Sequence, residues 1–575
     1  MRYCLYTFLG ALCILALSLR LYGIRQDLPA ATYPDETLTI YTALKFGTGD
    51  FNPHNFINPP LYHYLLFALL ALRYVVGLAL HWFSSAEDYI INYLSDPTAF
   101  FLIGRGLSVL FGMATLPIVL MLGRKIFCRR AGILALCFFA CAPLHVQNCH
   151  YAIVDVSMLF FFCLSLLWIV DIGIHRNRST YLISGIFAGL ACATKYNAAI
   201  LLIPMLVMHF LTPRERRVAL GPVLWLFTAA GIFILTSPYT LLDGRTFVRD
   251  LYHLHTFSKV GWFGWEKRPH AFLLFWGTIL FKGIGPPIYV LALIGIYMGL
   301  QRRSPADVAL LSLITVYSII MGRANVNAAY GRFMLPLVPL LVLYAAYALS
   351  AIIDALSAKL GHERFLLQGT VVLCLIPSIL LSFNISHTLA QPSTLTLAGK
   401  WVENHITAGA RILIEYDSIP LKRDEESVMR LIARKTSQRK LFRYREVSNL
   451  FFKAQLKVAQ RSVTSYDLET IPHPIGYMEK EGGYAEEWMT VDLAREMMEL
   501  RRYDYIVVDK NRIDKYIGKN NFNNVPERYR FMQDFYASLP THAILIHTIA
   551  HAARGPEILI YKVISAERTS RILTP

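Results

Sequence analysis

The last third of this chain lacks cysteine altogether. All nine cysteines lie at or before position 374 of the 575 residues. This absence excludes a disulfide-stabilised scaffold for the C-terminal third, even in an oxidising compartment. The spacing of the nine cysteines does not match a zinc site, so we expect them to be small packing residues. The C-terminal third also lacks a glycine-rich phosphate loop and a nucleophile elbow, which are the usual signs of nucleotide binding and of serine hydrolases.

Acidic side chains are scarce in the first two-thirds of the chain. Residues 1–387 hold 16 of the 39 Asp and Glu residues, and residues 388–575 hold the other 23. Because 55% of the whole chain is hydrophobic, the acid-poor part, 1–387, is predicted to be an α-helical polytopic membrane domain. The remainder, 388–575, mixes strand and helix patterns and is predicted to be a soluble α/β domain.

Two kinds of pattern alternate within the predicted soluble domain. Short apolar runs predict buried strands at 410–415, 505–508, 543–546 and 558–561. Amphipathic stretches predict helices at 485–502 and 527–539.

Eleven hydrophobic runs have about the length of a membrane span. They are 3–22, 100–123, 131–145, 155–174, 181–194, 197–212, 218–237, 280–300, 308–322, 333–351 and 365–385. The first has no small-residue cleavage site, so we expect it to remain as a helix instead of being removed as a signal peptide. A further run, 60–83, would invert every later loop if it crossed the membrane, and it is therefore predicted to lie on the outer face.

Part of the net charge of +17 lies in short basic segments between the spans. These segments are 124–130, 175–178, 214–217 and 302–303. The positive-inside rule places them in the cytoplasm, which puts the C-terminal domain on the outer, periplasmic side of an inner (plasma) membrane. The charge therefore needs no nucleic acid to explain it, and no nucleic-acid partner is expected.

An acidic pair, Asp35-Glu36, follows the first predicted span within Tyr33-Pro34-Asp35-Glu36-Thr37. Carboxylates where a helix leaves the bilayer are costly to keep unless something there uses them. Gly49-Asp50 and Pro59-Pro60-Leu61-Tyr62 follow in the same loop, and the segments 189–197, 237–243 and 332–339 follow in order on the same predicted side. This succession resembles the GT-C glycosyltransferases, in particular the branch of the protein O-mannosyltransferases and the lipid A aminoarabinose transferases.

The resemblance implies both a fold and an activity. It implies a GT-C bundle of about eleven spans that moves a sugar from a polyprenyl-phosphate donor to a hydroxyl acceptor on the outer face, with inversion at the sugar carbon. The implied partners are the lipid donor, membrane lipid and an unknown glycan, lipid or protein acceptor. Two alternatives stay open, namely a transporter or flippase of polyprenyl-linked glycans and a glycan ligase or polymerase with a pyrophosphate-linked donor.

Three acidic residues are catalytic candidates under this resemblance: Asp35, Glu36 and Asp155. Asp35 is expected to be the base that accepts the proton of the acceptor hydroxyl; its alternative is an N-cap of a helix over 36–46. Glu36 either orients Asp35 or the substrate, or only favours the helix N-terminus. Asp155 either lies beside Asp35, as an acid at this place does in related enzymes, or caps the fourth span.

Four residues are candidates to bind the donor phosphate: Lys195, Arg332, Arg105 and Tyr330. A buried cation needs an anionic partner, which either the protein or a ligand supplies. Arg105 therefore either binds phosphate, extends to the interface, or pairs with Asp35 or Asp155.

No cofactor or metal site is expected. The histidines at 54, 63, 253 and 255 are not spaced as a set of metal ligands. Ile57-Asn58 stands just before the two prolines, where the aminoarabinose transferases carry an acidic residue and a lysine. A metal site or a phosphate contact cannot be transferred to this chain from that position.

Overall fold

The computed structural model describes residues 2–174, 177–260, 271–323, 330–360, 363–415, 419–437, 449–471, 499–517, 530–550, 552 and 554–564. As far as Ala390, the regular structure of the described residues is helical. The first helices are α1 (Arg2–Leu21), α2 (Pro34–Lys45), α3 (Leu61–Ala79), α4 (Ala86–Ser95), α5 (Thr98–Ile126), α6 (Arg129–Ala140), α7 (Pro143–Asn148), α8 (Val154–Ile169), α9 (Arg178–Thr194) and α10 (Leu202–Leu211). The next are α11 (Gly221–Thr236), α12 (Tyr239–Leu242), α13 (Gly244–Val260), α14 (Ala271–Leu274), α15 (Phe281–Ile284), α16 (Pro286–Arg302), α17 (Pro305–Arg323), α18 (Leu337–Leu360) and α19 (Glu363–Ala390).

Six of the described helices are long and apolar enough to cross a membrane, or up to eight if each of two bent pairs counts as one span. The pair α6–α7 bends by 54° before Pro143, and the segment Ala271–Ile284 meets α16 at 117°. The predicted count of eleven spans is therefore not confirmed. Two of the remaining runs, in α10 and α11, form apolar helices that are shorter than a bilayer core requires. Helix α3 is one of the six, so length and composition alone do not separate a surface position for 60–83 from a span.

Helix α18 forms the centre of the helical bundle. From Leu337 to Leu349 nearly every side chain is buried, and the helix packs against α6 and α16. A Cβ atom at Gly295 of α16 would lie 2.0 Å from the backbone oxygen of Tyr344. The two helices can therefore approach this closely only because position 295 is glycine.

The bundle has two ends of different character. At one end, Lys125 forms an ion pair with Asp171 at 2.6 Å, and Arg302 donates a hydrogen bond to the carbonyl of Ile126 at 3.3 Å. The basic segments predicted to be cytoplasmic at 124–130 and 302–303 thus lie together. The acidic and basic motif residues meet at the other end, as described below. Which end faces the cytoplasm is still a prediction.

The first helix carries a buried charge near its C-terminus. The Arg20 side chain is fully buried and donates hydrogen bonds to the carbonyl of Ala140 at 2.9 Å and to Nδ1 of His145 at 2.8 Å. Ala140 is the last residue of α6, whose C-terminal carbonyls have no partner within the helix. Arg20 therefore fastens α1 to the bend between α6 and α7.

The C-terminal part of the chain is built on a mixed five-stranded sheet. Its strands are β1 (Arg411–Glu415), β2 (Asp467–Ile471), β3 (Tyr505–Asp509), β4 (Ala543–Ile549) and β5 (Ile558–Val563), in the order β2-β1-β3-β5-β4. Strands β2, β1 and β3 are parallel, and β5 pairs antiparallel with both β3 and β4. The helices are α20 (Thr394–His405), α21 (Glu425–Ser437), α22 (Asn449–Arg461), α23 (Lys510–Ile517) and α24 (Arg530–His542). We call this sheet with its helices the C-terminal unit.

Most of the predicted elements of the C-terminal unit are confirmed. The four predicted strands correspond to β1, β3, β4 and β5, and the stretch at 527–539 corresponds to α24. Strand β2 was not predicted. Of the stretch at 485–502, residues 485–498 lie outside the described residues.

Two carboxyl groups meet where the parallel strands β1 and β3 end. Glu415 is fully buried and accepts a hydrogen bond from the backbone N–H of Asp509 at 2.7 Å. Burial, and then the neighbouring Glu415, raises the pKa of Asp509 to about 6.

Candidate active site

Helix α2 places the acidic pair at the start of its first turn. Pro34 is the first helical residue, which suits proline because that position has no intrahelical use for an N–H. The N-cap is Tyr33, in an extended conformation and without a side-chain cap. Asp35 is therefore not the N-cap of a helix over 36–46, and that alternative is wrong. Both carboxylates lie instead within the first turn, where the helix dipole favours negative charge.

The two neighbouring acids point into different surroundings, since successive helical residues are about 100° apart. The Asp35 side chain is 47% exposed and its Oδ2 lies 2.8 Å from NH1 of Arg332. The Glu36 side chain is fully buried. Only Asp35 of the pair is thus open to a substrate.

Glu36 and Arg105 form a buried, two-pronged ion pair. The Nε and NH2 groups of Arg105 donate to the two carboxylate oxygens of Glu36 at 2.9 and 2.8 Å, and the arginine is 2% exposed. Glu36 also accepts from the backbone N–H of Ala152 at 2.7 Å. NH1 of Arg105 donates to the carbonyls of Ile24 and Gln26 at 2.7 and 3.0 Å. The structure thus pairs Arg105 with Glu36, and not with Asp35 or Asp155.

Asp155 and Lys195 form a second ion pair at the same end of the bundle. Asp155 lies in the first turn of α8, and Lys195 directly follows the last residue of α9. The Lys195 Nζ atom is 2.6 Å from Oδ1 of Asp155 and 4.7 Å from the centre of the Phe333 ring. Burial lowers the pKa of Lys195, and the Asp155 carboxylate opposes this shift.

Arg332 connects these groups. Its NH1 contacts Asp35 and also donates to the Tyr33 hydroxyl at 2.9 Å, while its guanidinium lies 4.8 Å from the Tyr330 ring. Burial alone would lower the pKa of Arg332, but the surrounding anionic groups, first of all Asp155, raise it above its ordinary value.

One nitrogen of the Arg332 guanidinium has no described partner. Its Nε is buried and has no hydrogen-bond partner among the residues that the structure describes. The contacts described for its terminal nitrogens are those of NH1. An Nε–NH2 edge is the part of arginine that binds two oxygens of a phosphate or carboxylate at once.

Sequence reasoning missed two residues of this cluster. The side chain of Tyr33 does not cap helix α2, and its hydroxyl accepts a hydrogen bond from Arg332. The centre of its ring lies 4.7 Å from the centre of the Tyr151 ring. Tyr33 belongs to the motif that contains Asp35, so its position beside Pro34 was the available signal. Phe333, under Lys195, had no signal beyond its position next to Arg332.

The rest of the first loop is attached to the region around α12 and α13. His54 Nε2 lies 2.7 Å from Asp50, and Asn52 donates to Asp243 at 3.0 Å. These contacts hold the loop between α2 and α3 beside the candidate site. Both motif acids, Asp50 and Asp243, therefore have structural partners here.

Part of this chain matches a known protein family. Residues 101–241 match the family described as dolichyl-phosphate-mannose-protein mannosyltransferase. The matched range contains Arg105, Asp155 and Lys195, and it leaves out Asp35 and Arg332. Among curated proteins, no sequence matches this chain.

The fold resembles those of two solved glycosyltransferases. The Archaeoglobus fulgidus oligosaccharyltransferase, tethered to an acceptor peptide, is similar over 99% of this chain and 75% of its own, with a TM-score of 0.54 and 13% identity. ArnT from Cupriavidus metallidurans, bound to undecaprenyl phosphate, is similar over 98% of both chains, with a TM-score of 0.52 and 12% identity. The chain therefore has the GT-C fold of lipid-linked glycosyltransferases, and its residues 101–241 match their protein mannosyltransferase family.

Proposed function

We propose that this protein is a membrane glycosyltransferase that moves a single sugar from a polyprenyl-phosphate donor to a hydroxyl group of an acceptor. The observation that carries the proposal is the pairing of a half-exposed carboxylate, Asp35, with Arg332, whose Nε has no hydrogen-bond partner among the residues that the structure describes. The site lies at the end of the bundle that the charge pattern assigns to the outer, periplasmic side of the inner (plasma) membrane.

The proposed chemistry is one displacement. Asp35 accepts the proton of the acceptor hydroxyl as its oxygen attacks the sugar carbon from the face opposite the phosphate. The bond between the sugar carbon and the phosphate oxygen breaks, and the electron pair leaves with the phosphate. A single displacement inverts the configuration at the sugar carbon.

The cations of the site stabilise the leaving group. Arg332 binds phosphate oxygens in this proposal, with its unpaired Nε among the donors, and Lys195 supplies a second positive charge close to it. The face of the Tyr330 ring packs against the guanidinium of Arg332. Asp155 holds Lys195 in place, because their 2.6 Å contact orients the ammonium group.

The buried pair Glu36–Arg105 has a different role in this proposal. Arg105 donates to Glu36 and to two backbone carbonyls, so in this proposal it has a pairing role and not the phosphate-binding role that the sequence also left open. Glu36 likewise does not touch the substrate. The pair fixes helix α2, and with it the position of Asp35.

The test is transfer by the purified full-length protein from labelled polyprenyl-monophosphate sugar to an extract of the cell envelope. We expect transfer by the unaltered protein and its loss in Asp35→Asn. Asp504→Asn is the matched control, since Asp504 is also 47% exposed and also faces an arginine, but it lies in the C-terminal unit. Undiminished transfer by Asp35→Asn would refute the proposal.

Two further arms separate the alternative functions. In the first arm a pyrophosphate-linked glycan donor is supplied beside the monophosphate donor, and transfer from the pyrophosphate donor identifies a ligase or polymerase. Movement of the labelled donor between membrane leaflets without transfer identifies a transporter. Mass spectrometry of the labelled product identifies the acceptor as glycan, lipid or protein.

A further inference from the structure

The turn that leads into helix α2 has an unfavourable backbone. This segment, residues 22–33, is called the Asp27 turn here. Asp27 and Ala31 have φ angles of +47° and +52°, a left-handed region that residues with a Cβ seldom adopt. A turn of this kind persists only where its surroundings hold it. The position of this turn determines where α2 begins and therefore where Asp35 lies.

Some of the contacts that fix the Asp27 turn come from the C-terminal unit. Arg554 lies between β4 and β5, and its NH2 group is 2.9 Å from the Asp27 carboxylate. Its NH1 group donates to the side-chain oxygen of Gln26 at 2.8 Å. Asp27 is 6% exposed. Burial alone would raise the pKa of Asp27, but Arg554 and then the other hydrogen-bond donors around it lower that pKa below its usual value.

The same turn is attached to the membrane bundle on its other side. The backbone carbonyl of Gln26 accepts a hydrogen bond from Arg105, and its side chain donates to the carbonyl of His150 at 3.1 Å. Arg105 in turn holds both oxygens of Glu36. A continuous series of short polar contacts thus runs from Arg554 through the Asp27 turn and Arg105 to the neighbour of Asp35.

We infer that Arg554 is a positioning residue for the transfer reaction, through which the C-terminal unit holds the catalytic carboxylate in place. This inference rests on the function proposed above. Arg554 touches no reacting atom. It fixes the Asp27 turn, and a displacement of about 1 Å at a catalytic group can lower a rate by about 100-fold.

The chain offers a matched control for this inference. Lys457 of α22 forms another ion pair between the C-terminal unit and the outer helices, 2.7 Å from Glu87 of α4. This pair attaches the same unit to the bundle but does not involve the Asp27 turn. Lys457→Ala therefore removes an attachment of the same unit that does not touch the Asp27 turn.

The first experiment measures kcat and the donor KM of full-length Arg554→Ala, Arg554→Lys and Lys457→Ala. We expect Arg554→Ala to lower kcat by about 10- to 100-fold with the donor KM within a factor of two. Arg554→Lys should recover part of kcat, since an ammonium can reach Asp27 but cannot bind Gln26 at the same time. Lys457→Ala should keep kcat. Equal losses in Arg554→Ala and Lys457→Ala, or a changed donor KM with a normal kcat, would overturn the inference.

The second experiment needs no activity. Hydrogen exchange of the full-length protein should be faster in Arg554→Ala at residues 22–45 and unchanged at 86–95, with the opposite pattern in Lys457→Ala. In the double variant Asp27→Asn, Arg554→Ala the increase in exchange at 22–45 should be smaller than the sum of the two single effects, because the two side chains are in contact. Unchanged exchange at 22–45 in Arg554→Ala overturns the positioning role even if transfer by that variant is lowered. If the unaltered protein uses no polyprenyl-phosphate sugar, the proposed function is overturned instead. The hydrogen-exchange result would then still test whether Arg554 fixes the Asp27 turn.

Discussion

Replacing Glu36 by Gln should destabilise the fold, whereas replacing its neighbour Asp35 by Asn should not. Gln is nearly the same size as Glu and can still accept the hydrogen bond of Ala152, so the change removes mainly the negative charge. Arg105 would then be left as a buried cation, 2% exposed, with no carboxylate beside it. Removing one partner of a buried ion pair costs about 3–5 kcal/mol.

The expected loss of stability differs between Asp35 and Glu36. Asp35 is 47% exposed and Arg332, at 19%, keeps some access to solvent, so Asp35→Asn should change stability much less, by about 1 kcal/mol. Glu36→Gln should remove a large share of a stability that is about 5–15 kcal/mol in ordinary domains. The assay is thermal unfolding of the full-length protein in detergent, combined with transfer measured per folded molecule.

A double variant tests the physical reason. In Glu36→Gln, Arg105→Met neither residue is charged, so the loss of stability should be well below the sum of the two single losses. Additive losses would show that the ion pair is not the source of the effect. A Glu36→Gln protein that is as stable as the unaltered one but inactive would refute the positioning role and restore Glu36 as a catalytic residue.

Three more outcomes are expected. Arg332→Ala and Lys195→Ala should each lower transition-state stabilisation by about 2–4 kcal/mol and weaken donor binding, with partial recovery in Arg332→Lys; folded variants with normal donor affinity and turnover would rule out the phosphate role. Because its folded pKa of about 6 lies above that of an unfolded aspartate, Asp509 should make stability fall as pH rises from about 4 to 6. Asp509→Asn should therefore raise the melting temperature at pH 8, where the gain in unfolding free energy is up to about 3 kcal/mol. It should not raise the melting temperature at pH 4, and an equal rise at both pH values would contradict this. A reporter that works only in the periplasm should be active when fused after Ser393 and inactive after Arg130, and the reverse would overturn the assigned sides of the membrane.

The sequence was sufficient to predict those parts of the fold that depend on local hydrophobicity. Each predicted strand of the C-terminal unit contains at least three consecutive apolar residues, and each is present. Strand β2 was missed because Asp467–Ile471 reads Asp-Leu-Glu-Thr-Ile and lies at the edge of the sheet. Only Leu468 and Ile471 of this strand are buried, and two separated apolar residues do not distinguish a strand from a loop.

The sequence could name the charges of the site but not their partners. Glu36 and Arg105 are 69 residues apart, and Asp155 and Lys195 are 40 apart. No local pattern determines such pairs, since they depend on which helices pack together. The difference between Asp35 and Glu36 also needed the structure, because it follows from the direction in which each side chain leaves α2.

The buried Arg20 has a consequence for how the protein is made. Its partners, Ala140 and His145, lie 120 and 125 residues further along the chain. When the first helix leaves the ribosome, Arg20 therefore lacks these two hydrogen-bond acceptors and has only the carbonyl of Ala16 in its own helix, and arginine within a bilayer is unfavourable. The first helix can reach its final depth only after α6 and α7 have been translated. We therefore expect the packing of the first helix to be completed late, after the chain up to His145 has left the ribosome.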